Sequence, residues 1–212
     1  MRPPPNQFGA DITNTANNEE HANMLAKMIC TRLAGRAVIR VVDRCNEAQD
    51  NNNLDLSECQ LMQVPDAVYH LMRHTELKAC NLSSNVITKI PPKFAVKFSL
   101  ITELNLSHNQ MSKLPDELAD LAELERLDIS HNAFISLPTA AYKMPKLTLL
   151  NANCNHIIDI DVERLQNSPS LKEVDLEENP VPFNTATALR SLPRIRVVLS
   201  ERKPEEWEDL TV

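Results

Sequence analysis

Residues 101–123, ITELNLSHNQMSKLPDELADLAE, decide the fold, because the next 23 residues, LERLDISHNAFISLPTAAYKMPK, repeat the same pattern. In both copies leucine, isoleucine and methionine recur at matching places, and the ninth position holds Asn109 or Asn132. A period of this length, with the form L-x-x-L-x-L-x-x-N-x-L-x-x-L-P, is typical of a unit made of one strand and a short return segment. The stretch therefore predicts a solenoid in which such units stack side by side.

The same register extends over most of the chain. With Ile101 as position one of its unit, the units begin at Asn51, Leu77, Ile101, Leu124, Leu147 and Leu171, and a degenerate seventh begins at Leu192. Position nine is Cys59 in the first unit and Asn in the next five, where we expect the amide to bond backbone groups left unpaired by a turn. Proline opens most return segments, which favours short helices.

The sequence on either side of the repeats has a different character. Residues 1–18 are polar and are interpreted as a disordered leader. Residues 19–50 have apolar side chains three and four places apart, which predicts an amphipathic cap helix; the alternative is a helix for a partner or a membrane surface. Residues 51–200 form the repeats, six plus the degenerate seventh. Residues 201–212 form an acidic tail, in which Trp207 either covers the last core layer or belongs to a peptide ligand.

Composition narrows the class of protein. Two glycines in 212 residues argue against glycine-rich phosphate loops. Five cysteines without a C-x-x-C pair favour reduced thiols, and hence an intracellular, cytoplasmic protein. The apolar runs are too short to span a bilayer, so we expect no membrane segment.

Side chains of a strand alternate between its two faces, so positions two, three, five, seven and eight are predicted to line the concave surface of the solenoid. Acidic residues outnumber basic ones there, which predicts a protein partner with a basic segment and argues against nucleic acid. The alternative is that any soluble solenoid needs a polar concave surface. The predicted protein-binding residues are Asp55, Glu58, Asn81, Glu103, Asn105, His108, Glu125, Arg126, Asp128, His131, Asn151, Glu173, Asp175 and Glu177.

Position eight brings zinc-ligand residue types onto consecutive strands, in the order His108, His131, Cys154 and Glu178. The outer members of this column are separated by several strand spacings, so we expect no metal and no other cofactor. Glu103, Glu125 and Asp128 are the nearest to a catalytic pair of carboxylates. No nucleophile has an evident base, however, and we predict a monomer without enzyme activity.

These motifs resemble the leucine-rich repeat superfamily over about residues 51–200, with Leu-Pro-x-x-Leu return segments typical of its intracellular members. The resemblance implies an α/β fold: a right-handed leucine-rich-repeat solenoid with a parallel concave sheet, convex short helices and turns, and an N-terminal cap helix. It also implies a protein-binding or scaffold role. By analogy, the alternative is a regulatory subunit of a signalling enzyme, such as a phosphatase or a small GTPase regulator, and a metal-dependent enzyme is a remote one.

Overall fold

The computed structural model describes Gly35 and residues 37–201. The chain divides into two compact units, residues 1–40 and 41–212. The predicted leader, the first part of the cap helix and all of the acidic tail except Glu201 lie outside the described residues. None of the helices in the described ranges is long and apolar enough to cross a membrane.

In the second unit, seven strands form one parallel sheet in the order of the sequence. The part of a helix that belongs to this unit, residues 41–51, is here called α1, and after it strands and return helices alternate along the chain. The strands are β1 (Asn53–Asp55), β2 (Ala79–Asn81), β3 (Glu103–Asn105), β4 (Arg126–Asp128), β5 (Leu149–Asn151), β6 (Glu173–Asp175) and β7 (Arg196–Val198). The return helices are α2 (Asp66–Leu71), α3 (Lys93–Lys97), the 3₁₀ helix η1 (Asp116–Asp120), α4 (Thr139–Lys143), α5 (Val162–Gln166) and α6 (Phe183–Arg190).

The register predicted from the sequence is confirmed for six strands and wrong for the seventh. Glu103 pairs with Arg126, Arg126 with Leu149, and Leu149 with Glu173, so equivalent positions of successive units are neighbours. In the last unit, Arg196 pairs with Glu173 and therefore stands at position three, two places from the position five expected of a unit beginning at Leu192. The physical reason is that position one of this unit holds the charged Arg194, so the nearest leucine, Leu192, is a misleading landmark. The step from Glu173 to Arg196 is 23 residues, equal to the step from Glu103 to Arg126.

The leucines at positions four and six form the core between the sheet and the return helices. Leu104 and Leu127 at position four are 2% and 0% exposed, and Leu106 and Ile129 at position six are fully buried. Val41, Cys45 and Ala48 of α1 belong to the same core cluster at its N-terminal end. Arg44 of α1 donates hydrogen bonds to the backbone oxygens of Asp55 and Ser57.

The asparagine at position nine fixes each turn as the sequence predicts. Asn132 Nδ2 donates to the carbonyl oxygens of Leu106, Ile129 and Ser130 at 3.0 to 3.1 Å, and its Oδ1 accepts from the amide of Met111 at 2.9 Å. Asn109 and Asn155 make the same kinds of bond in their own units. This column joins each unit to the one before it and holds the sheet in its register.

Candidate functional site

The open face of the sheet carries the predicted binding residues. Position three contributes Glu103, Arg126 and Glu173, and position five contributes Asp55, Asn81, Asn105, Asp128, Asn151 and Asp175. Glu125 precedes β4, and Glu177 follows β6. Glu58, His108 and His131 occupy position eight, at the turn after their strands. All of these side chains are exposed or half-buried.

Position five has a structural role that the sequence did not reveal. In each of the first six units its side-chain oxygen accepts a hydrogen bond from the amide two residues later, at 2.9 to 3.2 Å. Aspartate and asparagine make this bond equally, since each offers one Oδ1 acceptor. Thus part of what looked like a functional column is required by the turn, and only the aspartate charges are free to vary.

In the units that begin at Ile101 and Leu124, position seven is less exposed than the alternation of a strand predicts. Ser107 and Ser130 are 6% and 4% exposed, so they are buried under the turn and do not face a partner. Position eight adopts a left-handed backbone, with φ between 50° and 55° at Glu58, Ser84, His108, His131, Cys154 and Glu178. The reversal of the chain there turns the histidines outward at the rim of the sheet.

The two histidines at this rim stack on each other and are not arranged as metal ligands. The rings of His108 and His131 lie 4.0 Å apart between centroids, with an angle of 11° between their planes. Nitrogen lone pairs in parallel planes do not converge on one ion as tetrahedral zinc requires. Within Gly35 and residues 37–201, no three His, Cys, Asp or Glu side chains are placed to hold a metal ion.

Several of the acids on this face are paired with arginines. Arg126 lies 3.4 Å from Glu103, and Arg196 lies 3.5 Å from Glu173. Arg44, which reaches the face from α1, lies 3.6 Å from Asp55. Neither Arg44 nor Arg196 is among the predicted binding residues. Arg44 lies outside the repeats, and Arg196 was expected at position five, away from its observed place beside Glu173 at position three. The negative charge of the face is therefore less uniform than a count of residues indicates.

The acids without an arginine or lysine partner collect where β4 and β6 end. Among the described residues, no lysine or arginine nitrogen lies within 4.0 Å of the carboxylates that we call the acidic edge, which are those of Asp128, Asp175, Glu177 and Glu178. Three of these carboxylates act on Cys154, which lies in the turn after β5. The pKa of its thiol is raised, first by desolvation and then by Glu178, Asp175 and Glu177.

A shallow groove lies beside the acidic edge. Its volume is about 480 Å³, and residues of β1 to β5 line it. Leu149 of β5 is 38% exposed in this groove, at a position where the neighbouring strands carry Arg126 and Glu173. Leu149 is not among the predicted binding residues. A comparison of position three in successive units would have shown an apolar residue between charged ones. The face thus offers an apolar contact at position three of β5 and carboxylates at position five of the neighbouring strands β4 and β6.

Comparisons with known proteins agree on the kind of repeat. A family model described as leucine rich repeat matches residues 75–134. Leucine-rich repeat-containing protein 20 of Mus musculus is 30% identical over 173 residues, which cover 80% of this chain and 94% of that protein. This chain belongs to the leucine-rich repeat family. The Homo sapiens protein of the same name is 33% identical over 106 residues, or 48% of this chain and 54% of its relative.

Among solved structures, the leucine-rich repeat chain is similar to one described as a TLR13–ssRNA13 complex. The TM-score is 0.61 and the identity 22%, and the match covers 70% of this chain and 21% of the other. At this identity the likeness shows the fold alone, and it confirms the predicted α/β solenoid with a parallel sheet. Leucine-rich repeat proteins generally mediate protein–protein interactions and are typically without enzyme activity.

Proposed function

We propose that this leucine-rich repeat protein is a non-catalytic adaptor that binds a basic segment of a protein partner on the concave face of its sheet. The observation that carries the proposal is the acidic edge. Within residues 37–201 its four carboxylates have no lysine or arginine nitrogen within 4.0 Å, whereas Glu103 and Glu173 on the same face are each paired with an arginine. Acids left unpaired side by side repel one another, and a basic partner relieves that repulsion.

The charges alone do not supply a specific affinity. Exposed ion pairs contribute about 0 to 1 kcal/mol each, because water screens them. Their main effects are to speed the encounter and to select against acidic partners. The exposed Leu149 in the groove supplies a contact for an apolar side chain of the partner, next to the partner's lysine or arginine. We therefore expect a partner segment in which lysine or arginine alternates with an apolar residue.

The proposal extends to the setting of the protein. Cys45, Cys80 and Cys154 are free thiols, and the first two of them are buried. Free buried thiols favour a reducing compartment, so we place the protein in the cytoplasm, where it acts as a monomer. The alternative role as a regulatory subunit of a signalling enzyme uses the same face. It differs only in the identity of the partner and stays a prediction.

A charge-matched pair of variants tests the proposal. Asp128→Asn, Asp175→Asn and Glu177→Gln together remove three charges from the acidic edge and keep the oxygen acceptors at position five. Glu117→Gln, Asp120→Asn and Glu163→Gln remove three exposed charges from the return helices η1 and α5. The measurement is the affinity for synthetic peptides in which lysine or arginine alternates with leucine, with acidic peptides of the same length for comparison.

We expect the first triple variant to lose most of its affinity for the basic peptides and the second to keep it. The affinity of the wild-type protein should also fall as salt is added. Equal binding by the two triple variants would show that net charge, and not this face, attracts the peptides.

A further inference from the structure

The two ends of the repeat core are covered to different extents. At the N-terminal end, Leu54 and Leu56 of the first unit are 2% and 0% exposed. Val197 and Leu199 occupy the equivalent positions of the last unit, yet both are only half-buried. An open last layer of a solenoid leaves apolar surface and a strand edge in water, and solenoids need a terminal element to cover both.

A groove lies over this incompletely covered layer. It has a volume of about 390 Å³, and its apolar wall is formed by Val181, Phe183, Ala186 and Leu199. Phe183 is 36% exposed there. Arg190 of α6 contributes a positive charge to the lining, and Glu178 and Glu201 contribute a carboxylate each. The groove therefore has an apolar wall with one arginine beside it, and Glu201 in its lining is directly followed by residues 202–212.

The charges of the last unit and of the following segment are opposite. Residues 180–200 contain Arg190, Arg194 and Arg196 and no acidic residue. Arg196 is paired with Glu173, but within residues 37–201 no carboxylate oxygen lies within 4.0 Å of a nitrogen of Arg190 or Arg194. Residues 204–212, PEEWEDLTV, place four acids around the single tryptophan of the chain.

We propose that this groove binds residues 204–212 of the same chain, with the indole of Trp207 against the apolar wall and the flanking acids near Arg190 and Arg194. Trp207 lies six positions after Glu201, and an extended chain of six steps spans about 20 Å, enough to return across the groove. An indole brings a large apolar area and one polar N–H, which suits a groove that is apolar on one side and open to water on the other. The groove shares Glu178 with the acidic edge, but this inference does not depend on the binding of a partner there.

The single tryptophan makes a direct experiment available. With excitation selective for tryptophan, we would measure the emission maximum of Trp207 and its quenching by acrylamide in the full chain. A synthetic peptide of residues 201–212 gives the values for full exposure. Ala186→Glu fills the apolar wall, and Arg190→Glu reverses the charge of the groove. Arg73→Glu, in an exposed loop after α2, is the charge-matched control for Arg190→Glu. Far-ultraviolet circular dichroism checks that each variant is folded.

We expect a blue-shifted emission and a several-fold lower quenching constant in the full chain than in the peptide, independent of protein concentration. Both groove variants should return Trp207 toward the values of the peptide, and Arg73→Glu should not. Emission and quenching equal to those of the peptide in the wild-type chain would overturn the proposal. So would shielding that survives both groove variants, or shielding that disappears on dilution, since the latter would place the segment on a second copy.

Discussion

Asp128 Oδ1 accepts a hydrogen bond from the amide of Ser130 at 2.9 Å, and in the neighbouring unit Asn105 makes the same bond to Ser107. Asp128→Asn should therefore leave the free energy of unfolding nearly unchanged, whereas Asp128→Ala should lower it by about 1 kcal/mol through the lost bond. Urea denaturation of the three proteins measures the difference. If asparagine costs as much stability as alanine, the carboxylate charge and not the acceptor matters at position five.

The side chain of Asn132 makes four hydrogen bonds to backbone groups of its turn and of the preceding unit. Asn132→Ala leaves the carbonyl oxygens of Leu106, Ile129 and Ser130 and the amide of Met111 without this partner in a buried turn. We expect a loss of about 3 kcal/mol, since each buried group left unsatisfied costs on the order of 1 to 3 kcal/mol, while the carbonyl oxygen of Ser130 keeps its bond from the amide of His108. Thermal unfolding followed by circular dichroism measures it, and a melting temperature equal to that of wild type would refute the assignment.

The same substitution at Leu127 and at Leu149 distinguishes a core position from a position on the open face. Leu127 is fully buried, and Leu149 is 38% exposed. Leu127→Ala should lower the free energy of unfolding by about 2 to 5 kcal/mol, because it removes burial and leaves a cavity. Leu149→Ala should change it by less than about 1 kcal/mol. Chemical denaturation compares the two, and similar losses would contradict the placement of Leu149 on the open face.

The buried thiols predict a loss of stability in alkali. Burial, and next Cys59, raises the pKa of the Cys45 thiol to about 11. Burial, followed by Asp55 and Cys45, raises the pKa of the Cys80 thiol to about 12. An unfolded cysteine has a pKa of about 8.5, so above that pH the unfolded chain releases protons that the folded chain retains. The stability contributed by the two thiols is complete below this pH and is lost as the pH rises toward the folded values.

The measurement is the free energy of unfolding, from urea denaturation at several pH values between about 8 and about 11, a range that begins near the pKa of an unfolded cysteine. The variant with Cys45→Ala and Cys80→Ala should show a shallower decline than wild type, whatever its starting stability. Parallel declines would mean that other groups cause the alkaline unfolding.

The repeat period was enough to predict the strands, because leucines at positions four and six have one way to be buried together. Asn109 and Asn132 likewise predicted their turn, since an amide at that place meets the same backbone groups in every unit. The seventh unit was misplaced because its first position is the charged Arg194, whereas the count began at the nearby Leu192. An apolar landmark predicts the register only where the unit keeps its apolar residue at that position.

The binding face was harder to predict for a different reason. Sequence position shows that Glu103 and Asp128 share a face, but the partner of each charge depends on side chains from other units. Arg126 neutralises Glu103 across a strand pair, and Arg44 reaches Asp55 from outside the repeats. The hydrogen bond that position five accepts was not evident from the sequence either, because the mixture of Asp and Asn there looks like a variation in charge. The sequence does not show which charged residues pair with one another.

The central claim is that the acidic edge and the groove beside it are the docking surface. The most direct test is amide chemical-shift mapping of the isotope-labelled full chain, titrated at low salt with a peptide in which lysine alternates with leucine. The account predicts that the largest shifts occur in β4, β5 and β6 and in the residues just after them, around Ser130, Asn153 and Glu177, and that added salt reverses them. Shifts confined to the helices α2 to α5, or no shifts at low salt, would contradict it.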